Sequence, residues 1–137
     1  MTLPGHARYT VLVVDDDPSV LGCYKKLLSR EGYKTVTESD PRKVLMEGRE
    51  IGDVDLLLID YKMPEMDGLT LLAELRRREF RARCILISAF LNEGVRLQAK
   101  NLGVDQILEK PVDVASLRAA LAALLPSNGG RPVGLAG

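Results

Sequence analysis

The sequence predicts a doubly wound α/β domain, in which five parallel strands form one sheet and five helices cover both of its faces. Two observations predict this fold class. Apolar runs of strand length alternate along the chain with segments whose apolar residues recur at helical spacing. Three of the runs are almost continuously apolar, which is typical of strands buried on both faces. Because crossovers between parallel strands are right-handed, few strand orders are possible.

The strands are predicted from the spacing of their apolar residues. The first, third and fourth are short continuous runs such as TVLVV and LLLI, whereas the second, YKTVT, alternates. In chain order the predicted strands are residues 10–14, 33–37, 54–60, 83–88 and 104–108.

The helices are predicted from their caps and apolar stripes. Each begins at a side chain that can accept a hydrogen bond from the first turn, and two of these caps are followed by a proline, which favours the first helical position. Glycines mark three of the helix ends. The predicted caps are Asp17, Asp40, Asp67, Asn92 and Asp113, and the terminating glycines are Gly32, Gly48 and Gly103.

Composition excludes several classes of protein. The 137 residues suit one domain, and 46% of them are hydrophobic, which is too high for a disordered chain. The 19 lysines and arginines balance the 19 aspartates and glutamates, so net charge draws the protein neither to nucleic acid nor to anionic membranes. No apolar run could span a bilayer. The start MTLPGHARYT lacks a signal core, so we expect a cytoplasmic protein.

Histidine, cysteine and arginine usage narrows the possible sites. His6 is the only histidine, which argues against a histidine-based metal site or a Ser-His-Asp triad. Cys23 and Cys84 are expected to be buried free thiols in a reducing compartment. Residues 76–83 (RRREFRAR) contain five arginines, which we interpret as a solvated helix end rather than a nucleic-acid surface.

Three segments are expected along the chain. The predicted strands and helices extend over residues 9–125, which we interpret as one domain. Residues 1–8 form an N-terminal tail. Residues 126–137 (PSNGGRPVGLAG) are rich in glycine and proline and have no periodicity, so we interpret them as a flexible tail or linker.

Polar side chains stand at the carboxyl ends of four predicted strands. They are Asp15 and Asp16 after the first strand, Asp60 at the end of the third, Ser88 at the end of the fourth and Lys110 after the fifth. Because such ends meet at one edge of a parallel sheet, we expect these side chains to lie together. Oxygen ligands without histidine or cysteine suit Mg²⁺, and an ammonium and a hydroxyl suit a phosphate. The sequence therefore predicts Mg²⁺-dependent phosphoryl chemistry.

Four stretches also resemble a known family. They are VVDDDPS (13–19), LLLIDYKMPEMDG (56–68), ILISAF (85–90) and ILEKP (107–111). In this order and spacing they resemble the motifs of the response regulator receiver domain of two-component signalling. The resemblance covers about residues 9–125. It implies the flavodoxin-like strand order 2-1-3-4-5.

The resemblance implies a phosphoacceptor and a metal site. Asp60 would take a phosphoryl group from a histidine kinase or a histidine phosphotransfer protein. Asp15, Asp16, Asp60 and the backbone carbonyl of Lys62 would bind Mg²⁺, with Asp16 touching the metal more directly than Asp15. The protein would then be no enzyme beyond its own phosphorylation and dephosphorylation.

The resemblance also implies a switch. Ser88 would move to bond the new phosphoryl group, and Lys110 would bind it as well. The Lys110–Pro111 peptide would be cis, and Pro64 and Gly68 would shape the loop after the acceptor. The output would be a surface built from the fourth helix, the fifth strand and the fifth helix. That surface would control an output domain or a partner protein, and it is also the face through which a homodimer could form.

The sequence departs from the family pattern at one position and has two distinctive residues near the site. Receivers usually have an aromatic residue three positions before the lysine, where this chain has Ile107. Ile107 is either an ordinary strand residue or the sign of a switch with weaker coupling. Lys62 and Phe90 occupy positions that flank the path of water to the acyl phosphate. They predict a persistent phosphoryl state, unless they are simply solvated residues at the rim.

Two other functions remain open. VVDDDPS also satisfies the D-x-D-x-[ST] pattern of haloacid-dehalogenase-like phosphatases, with Asp15 as nucleophile and Asp17 as acid/base. That interpretation leaves DYKMPEMDG unexplained, and the chain has no evident cap insertion. A receiver-like interaction module that works without phosphorylation has the support of Ile107 alone.

Overall fold

A computed structural model describes residues 9–46 and 51–126. Its strands are β1 (Thr10–Val14), β2 (Lys34–Glu38), β3 (Leu56–Asp60), β4 (Arg83–Ser88) and β5 (Gln106–Glu109). All neighbouring strands pair in parallel, in the order β2-β1-β3-β4-β5. The predicted fold class and strand order are therefore confirmed.

Five α-helices connect and follow the strands. They are α1 (Pro18–Arg30), α2 (Pro41–Met46), α3 (Gly68–Arg77), α4 (Glu93–Asn101) and α5 (Val114–Leu124). All five predicted caps accept a backbone N–H of the first turn and are thereby confirmed; they are Asp17, Asp40, Asp67, Asn92 and Asp113. The predicted helix end at Gly48, like the predicted tail at residues 1–8 and all of 126–137 except Pro126, lies outside the described residues.

Alternate side chains of the central strands point into two apolar layers on opposite faces of the sheet. The layer under α1 and α5 includes Val11, Leu58, Leu28 and Leu117. The layer under α2, α3 and α4 includes Leu12, Ile59, Val44, Leu72 and Val95. Both faces of the sheet are covered, as the continuous apolar runs predicted.

Three strands differ in their bounds from the predicted ones. β2 lies one residue later than residues 33–37, at Lys34–Glu38, and β5 ends at Glu109 rather than at residue 108. β3 begins at Leu56 rather than at residue 54, because a single 3₁₀ turn, Ile51–Asp53, precedes it. β5 begins at Gln106 rather than at residue 104, because the amide of Val104 donates to the carbonyl of Ala99 and so closes the end of α4. Apolar spacing alone does not distinguish such residues from the strand that follows them.

The expectation of two buried cysteines is wrong for one of them. Cys84 is buried in β4, but Cys23 is exposed on α1. The buried stripe of α1 runs through Leu21 and Leu28. Cys23 lies two residues after Leu21, about 200° around the helix, and so faces solvent.

The interpretation of the arginine-rich segment as a solvated helix end is wrong for Arg76. Its guanidinium donates to the carbonyls of Phe80, Ala82, Leu102 and Gly103 at 2.9–3.2 Å. It therefore ties the end of α3 to the approach to β4 and to the end of α4. The other arginines of the segment are exposed.

The ends of the described domain meet. The Tyr9 hydroxyl donates to the carbonyl of Pro126 at 2.9 Å, just beyond α5.

Among the described helices, none has both the length and the apolar character that crossing a lipid bilayer requires.

Candidate functional site

The carboxyl ends of β1 and β3 bring three aspartates together. Asp15 and Asp16 follow β1, Asp60 ends β3, and the two strands are paired neighbours in the sheet. One carboxylate oxygen from each residue lies within 4.8 Å of the others. Asp15 and Asp60 are buried, at 4% and 5% exposure, whereas Asp16 faces solvent. The structure therefore assembles the acidic cluster that the strand ends predicted.

Burial dominates the electrostatics of this cluster. It raises the pKa of Asp15, and the Asp60 charge adds to the rise, although the Asp17 amide donates to Asp15 at 2.9 Å and opposes it. Burial likewise raises the pKa of Asp60, with Asp16 adding to the effect and Lys110 opposing it. For each of the two buried carboxyl groups, burial thus outweighs the partners that favour the charged form.

Lys110 supplies a cation beside the cluster. Its Nζ lies 2.8 Å from Asp60 Oδ1. Burial lowers the pKa of Lys110, but the hydrogen bond and charge of Asp60 reverse this, so that its pKa lies above the ordinary value. The backbone amide of Lys110 donates to the carbonyl of Ser88, and the Lys110–Pro111 peptide is cis, as the resemblance implied.

The residues present fit a hard divalent cation. Three carboxylates converge, two of them are buried, and their raised pKa values mark negative charge that Lys110 leaves uncompensated. Mg²⁺ prefers carboxylate oxygens and keeps some of its waters, which an exposed ligand such as Asp16 permits. Lys62, whose carbonyl is the fourth predicted ligand, lies two residues beyond Asp60 with its side chain exposed.

Gly68 allows the loop after Asp60 to pack against β3. A Cβ at this position would lie 2.5 Å from the backbone oxygen of Asp60, so a side chain does not fit. The Gly68 amide donates to the carbonyl of Tyr61 at 2.7 Å and closes the loop. Within that loop the carbonyl of Pro64 accepts from Met66 at 2.8 Å. Gly68 thus shapes the segment beside the acidic cluster, and a role of Pro64 in that loop stays a prediction.

Ser88 ends β4 at the same edge of the sheet, and its hydroxyl is engaged by its own loop. It is 2% exposed. Its Oγ donates to the Phe90 carbonyl at 2.7 Å and accepts from the Phe90 amide at 3.0 Å. Phe90 itself is 66% exposed. Both residues line a cleft of about 620 Å³ whose other walls include Tyr61, Met63 and Met66.

Ile107 packs as an ordinary strand residue. It lies in β5 opposite Leu86, is half-buried, and contacts the apolar layer under α2, α3 and α4.

Asp17 also has a structural use, because its side chain accepts from the Ser19 amide at the start of α1. That use opposes the acid/base role that a haloacid-dehalogenase-like phosphatase would give it.

The sequence reasoning missed two side chains near the cluster. Burial, followed by the charges of Asp15 and Asp60, raises the pKa of Tyr24 to about 12, so α1 places this phenol close to the carboxylates. Arg42 lines a small cavity together with Asp16 and forms an ion pair with Glu65 at 2.9 Å. The position of Tyr24, two helical turns after the Asp17 cap, was the available signal.

Comparisons with known proteins agree with this geometry. The family described as "Response regulator receiver domain" matches residues 11–122. The transcriptional regulatory protein GlrR of Escherichia coli (strain K12) is 36% identical over 85% of this chain and 26% of its own length. The chemotaxis protein CheY of Treponema pallidum is 31% identical over 89% of this chain and 86% of its own length.

A solved structure provides the same comparison in three dimensions. The CheX-CheY-BeF3-Mg+2 complex from Borrelia burgdorferi matches with 26% identity and a TM-score of 0.77, over 84% of this chain and 87% of the matched one. The chain spans 48% and 26% of the length of two transcriptional regulators that it matches.

Proposed function

Because the chain belongs to the response regulator receiver domain family, we propose that it accepts a phosphoryl group on Asp60 from a histidine kinase or a histidine phosphotransfer protein. One observation carries the proposal. The Asp60 carboxylate is buried at the end of a central strand, 2.8 Å from the Lys110 ammonium and within 4.8 Å of two further carboxylates. This is an acceptor oxygen with a cation already beside it.

The transfer is a displacement at phosphorus. An Asp60 oxygen attacks in line, the phosphorus–nitrogen bond of the donor phosphohistidine breaks, and the imidazole leaves with the bonding electron pair. Lys110 offsets the charge of the incoming phosphoryl oxygens. Asp15, Asp16, Asp60 and the Lys62 carbonyl would hold Mg²⁺, which when bound neutralises further phosphoryl charge.

Hydrolysis of the phosphorylated Asp60 by water limits the lifetime of the phosphorylated state. Hydrolysis of the acyl phosphate is the one other reaction that we assign, so the protein is no enzyme for other substrates. The exposed side chains of Lys62 and Phe90 both line the cleft beside the acceptor edge. We assign them to slowing the approach of water, and hence to a persistent phosphoryl state.

The domain serves a partner or an output domain. We assign residues 9–125 to the receiver and the segment from residue 126 to a linker or tail. Ser88, released from its loop, bonds the phosphoryl group and changes the surface of α4, β5 and α5, where an output domain, a partner protein or a second copy would bind. The zero net charge and the structural use of Arg76 disfavour direct nucleic-acid binding. We place the protein in the cytoplasm.

The second candidate is a receiver-like module that binds a partner without phosphorylation. Its support is Ile107, which packs as a plain aliphatic residue in β5. The complete set of acceptor-site side chains favours the phosphorylated alternative.

Intact mass measurement tests the proposal. The protein is incubated with Mg²⁺ and acetyl phosphate, alongside an EDTA sample and the variants Asp60→Asn and Asp67→Asn. Asp67 is a matched control, because it belongs to the same loop after β3 and its carboxylate caps α3. Wild type and Asp67→Asn should gain one phosphoryl group with Mg²⁺ alone, and Asp60→Asn should gain none. An equal adduct on Asp60→Asn, or no adduct with either acetyl phosphate or a phosphorylated histidine phosphotransfer protein, would exclude the proposed acceptor.

A further inference from the structure

The Ser88 hydroxyl and the Phe90 peptide form a closed pair of hydrogen bonds. Ser88 Oγ donates to the Phe90 carbonyl at 2.7 Å and accepts from the Phe90 amide at 3.0 Å. Ser88 is 2% exposed, so water does not readily replace either bond. The position of the hydroxyl and the conformation of the loop that carries Phe90 are therefore linked.

Ser88 cannot donate to the Phe90 carbonyl and to a phosphoryl oxygen at the same time. A serine hydroxyl has a single hydrogen to donate. If Ser88 donates it to a phosphoryl oxygen on Asp60, the Phe90 carbonyl loses its donor. Three residues, Ala89–Leu91, separate Ser88 from the Asn92 cap of α4. A change in the hydrogen bond that the Ser88 hydroxyl donates therefore alters the conformation of this short segment directly.

The exposed Phe90 ring lies beside a cleft that could accommodate it. It is 66% exposed, which is unusual for a phenylalanine. It borders the cleft of about 620 Å³ that Tyr61, Met63 and Met66 also line. Burial of a phenyl ring against methionine and tyrosine side chains removes apolar surface from water and is favourable.

Leu91 and Asn92 limit how the segment can move. Leu91 packs against the apolar layer under α2, α3 and α4, and the Asn92 side chain accepts from the Val95 amide at 2.8 Å. Movement of the Phe90 peptide is thus confined to a local rotation between Ser88 on one side and Leu91 and Asn92 on the other. This rotation reaches the first turn of α4 through Asn92.

We propose that Phe90 is an aromatic switch, whose ring turns into the cleft when Ser88 leaves the Phe90 peptide for a phosphoryl group on Asp60. The proposal rests on the phosphorylation proposed above and names the residue that transmits it. It assigns the aromatic response to the loop after β4 rather than to β5, where Ile107 is already packed. In the resting state the ring marks an exposed patch before α4, and phosphorylation removes it.

A single tryptophan tests the switch. The chain contains no tryptophan, so Phe90→Trp introduces a unique fluorophore at the moving position. The variant is phosphorylated with acetyl phosphate and Mg²⁺, and its adduct is quantified by intact mass in the same sample. We expect the emission to shift to the blue and acrylamide quenching to fall as the adduct forms.

Two controls separate the switch from general effects. Met46→Trp places the probe on α2, outside the surface of α4, β5 and α5, at a residue that is 77% exposed, and its emission should not change. In Ser88→Ala/Phe90→Trp the linking hydroxyl is absent, so at an adduct occupancy matched by intact mass, whatever the rate of phosphorylation, the emission should not change. An adduct on Phe90→Trp with unchanged emission and quenching, or an equal shift in the Ser88→Ala background, would overturn the switch while leaving the acceptor intact. Absence of the adduct in every sample, with acetyl phosphate and with a phosphorylated histidine phosphotransfer protein, would instead remove the acceptor, and the switch with it.

Discussion

The Lys110 ammonium lies 2.8 Å from an Asp60 carboxylate oxygen, and yet the pKa of Asp60 stays above its ordinary value. Burial of the carboxylate, with Asp16 nearby, outweighs the hydrogen bond and the charge of Lys110. One ammonium therefore does not neutralise three aspartates whose oxygens lie within 4.8 Å of each other. The residual negative charge is what a divalent cation bound at the three aspartates would offset.

Asp15→Asn should stabilise the metal-free protein at pH 7. The substitution removes a buried negative charge and keeps a side-chain oxygen to accept from the Asp17 amide. We expect the free energy of unfolding to rise by roughly 1 kcal/mol. Thermal unfolding in EDTA measures the change, and the exposed Asp53→Asn is the control that should show none.

With Mg²⁺ bound, the wild type should become more stable than Asp15→Asn. A ligand at a hundred times its Kd stabilises the native state by about 2.7 kcal/mol, and Asp15→Asn should lose most of this gain because it lacks a predicted ligand. Equal stabilisation of the wild type and the variant by Mg²⁺ would show that Asp15 takes no part in the metal site.

Gly68→Ala and Gly22→Ala should have effects of opposite sign. A Cβ at Gly68 would lie 2.5 Å from the backbone oxygen of Asp60, so we expect a loss of about 1–3 kcal/mol. Gly22 lies on the exposed face of α1, where a Cβ would meet nothing within 4 Å, so alanine should add about 0.5–1 kcal/mol. Urea unfolding of both variants measures the two changes. A neutral Gly68→Ala would mean that the loop after Asp60 relaxes freely.

Asp113 should make α5 sensitive to acid. Hydrogen bonds from the Ser116 amide and hydroxyl hold the pKa of Asp113 below its ordinary value of 3.8. A lowered folded pKa contributes stability that is present above 3.8 and lost as the pH falls through the folded value. Asp113→Asn keeps an acceptor for the Ser116 amide but does not titrate. The stability difference between wild type and variant, followed by urea unfolding from pH 7 downwards, should therefore shrink in acid, and parallel curves would argue against this role.

The two cysteines should differ sharply in reactivity. Burial raises the pKa of the Cys84 thiol to about 12, whereas Cys23 is exposed on α1. A thiol reagent at pH 8 should modify one cysteine in the native protein and both after unfolding. Cys23→Ser should abolish the native reaction. Rapid modification of two thiols in the native wild type would contradict the burial of Cys84.

The amino-acid sequence determined the fold class and the composition of the site. Apolar spacing encodes which segments form strands and helices, and capping side chains act within one turn, so Asp17, Asp67, Asn92 and Asp113 were predictable. The acidic cluster was predictable as well, because parallel strands bring their carboxyl ends to one edge of the sheet.

The tertiary structure decided the partners and the burial of individual side chains. Arg76 reaches carbonyls on the approach to β4 and at the end of α4, up to 27 residues away, and no local pattern shows that these segments meet. Ser88 was predictable as a hydroxyl at the acceptor edge, but the hydrogen bonds that hold it to Phe90 depend on how the loop after β4 turns. Periodicity records which face of an element is buried, whereas the contacts between elements arise only when the layers pack together.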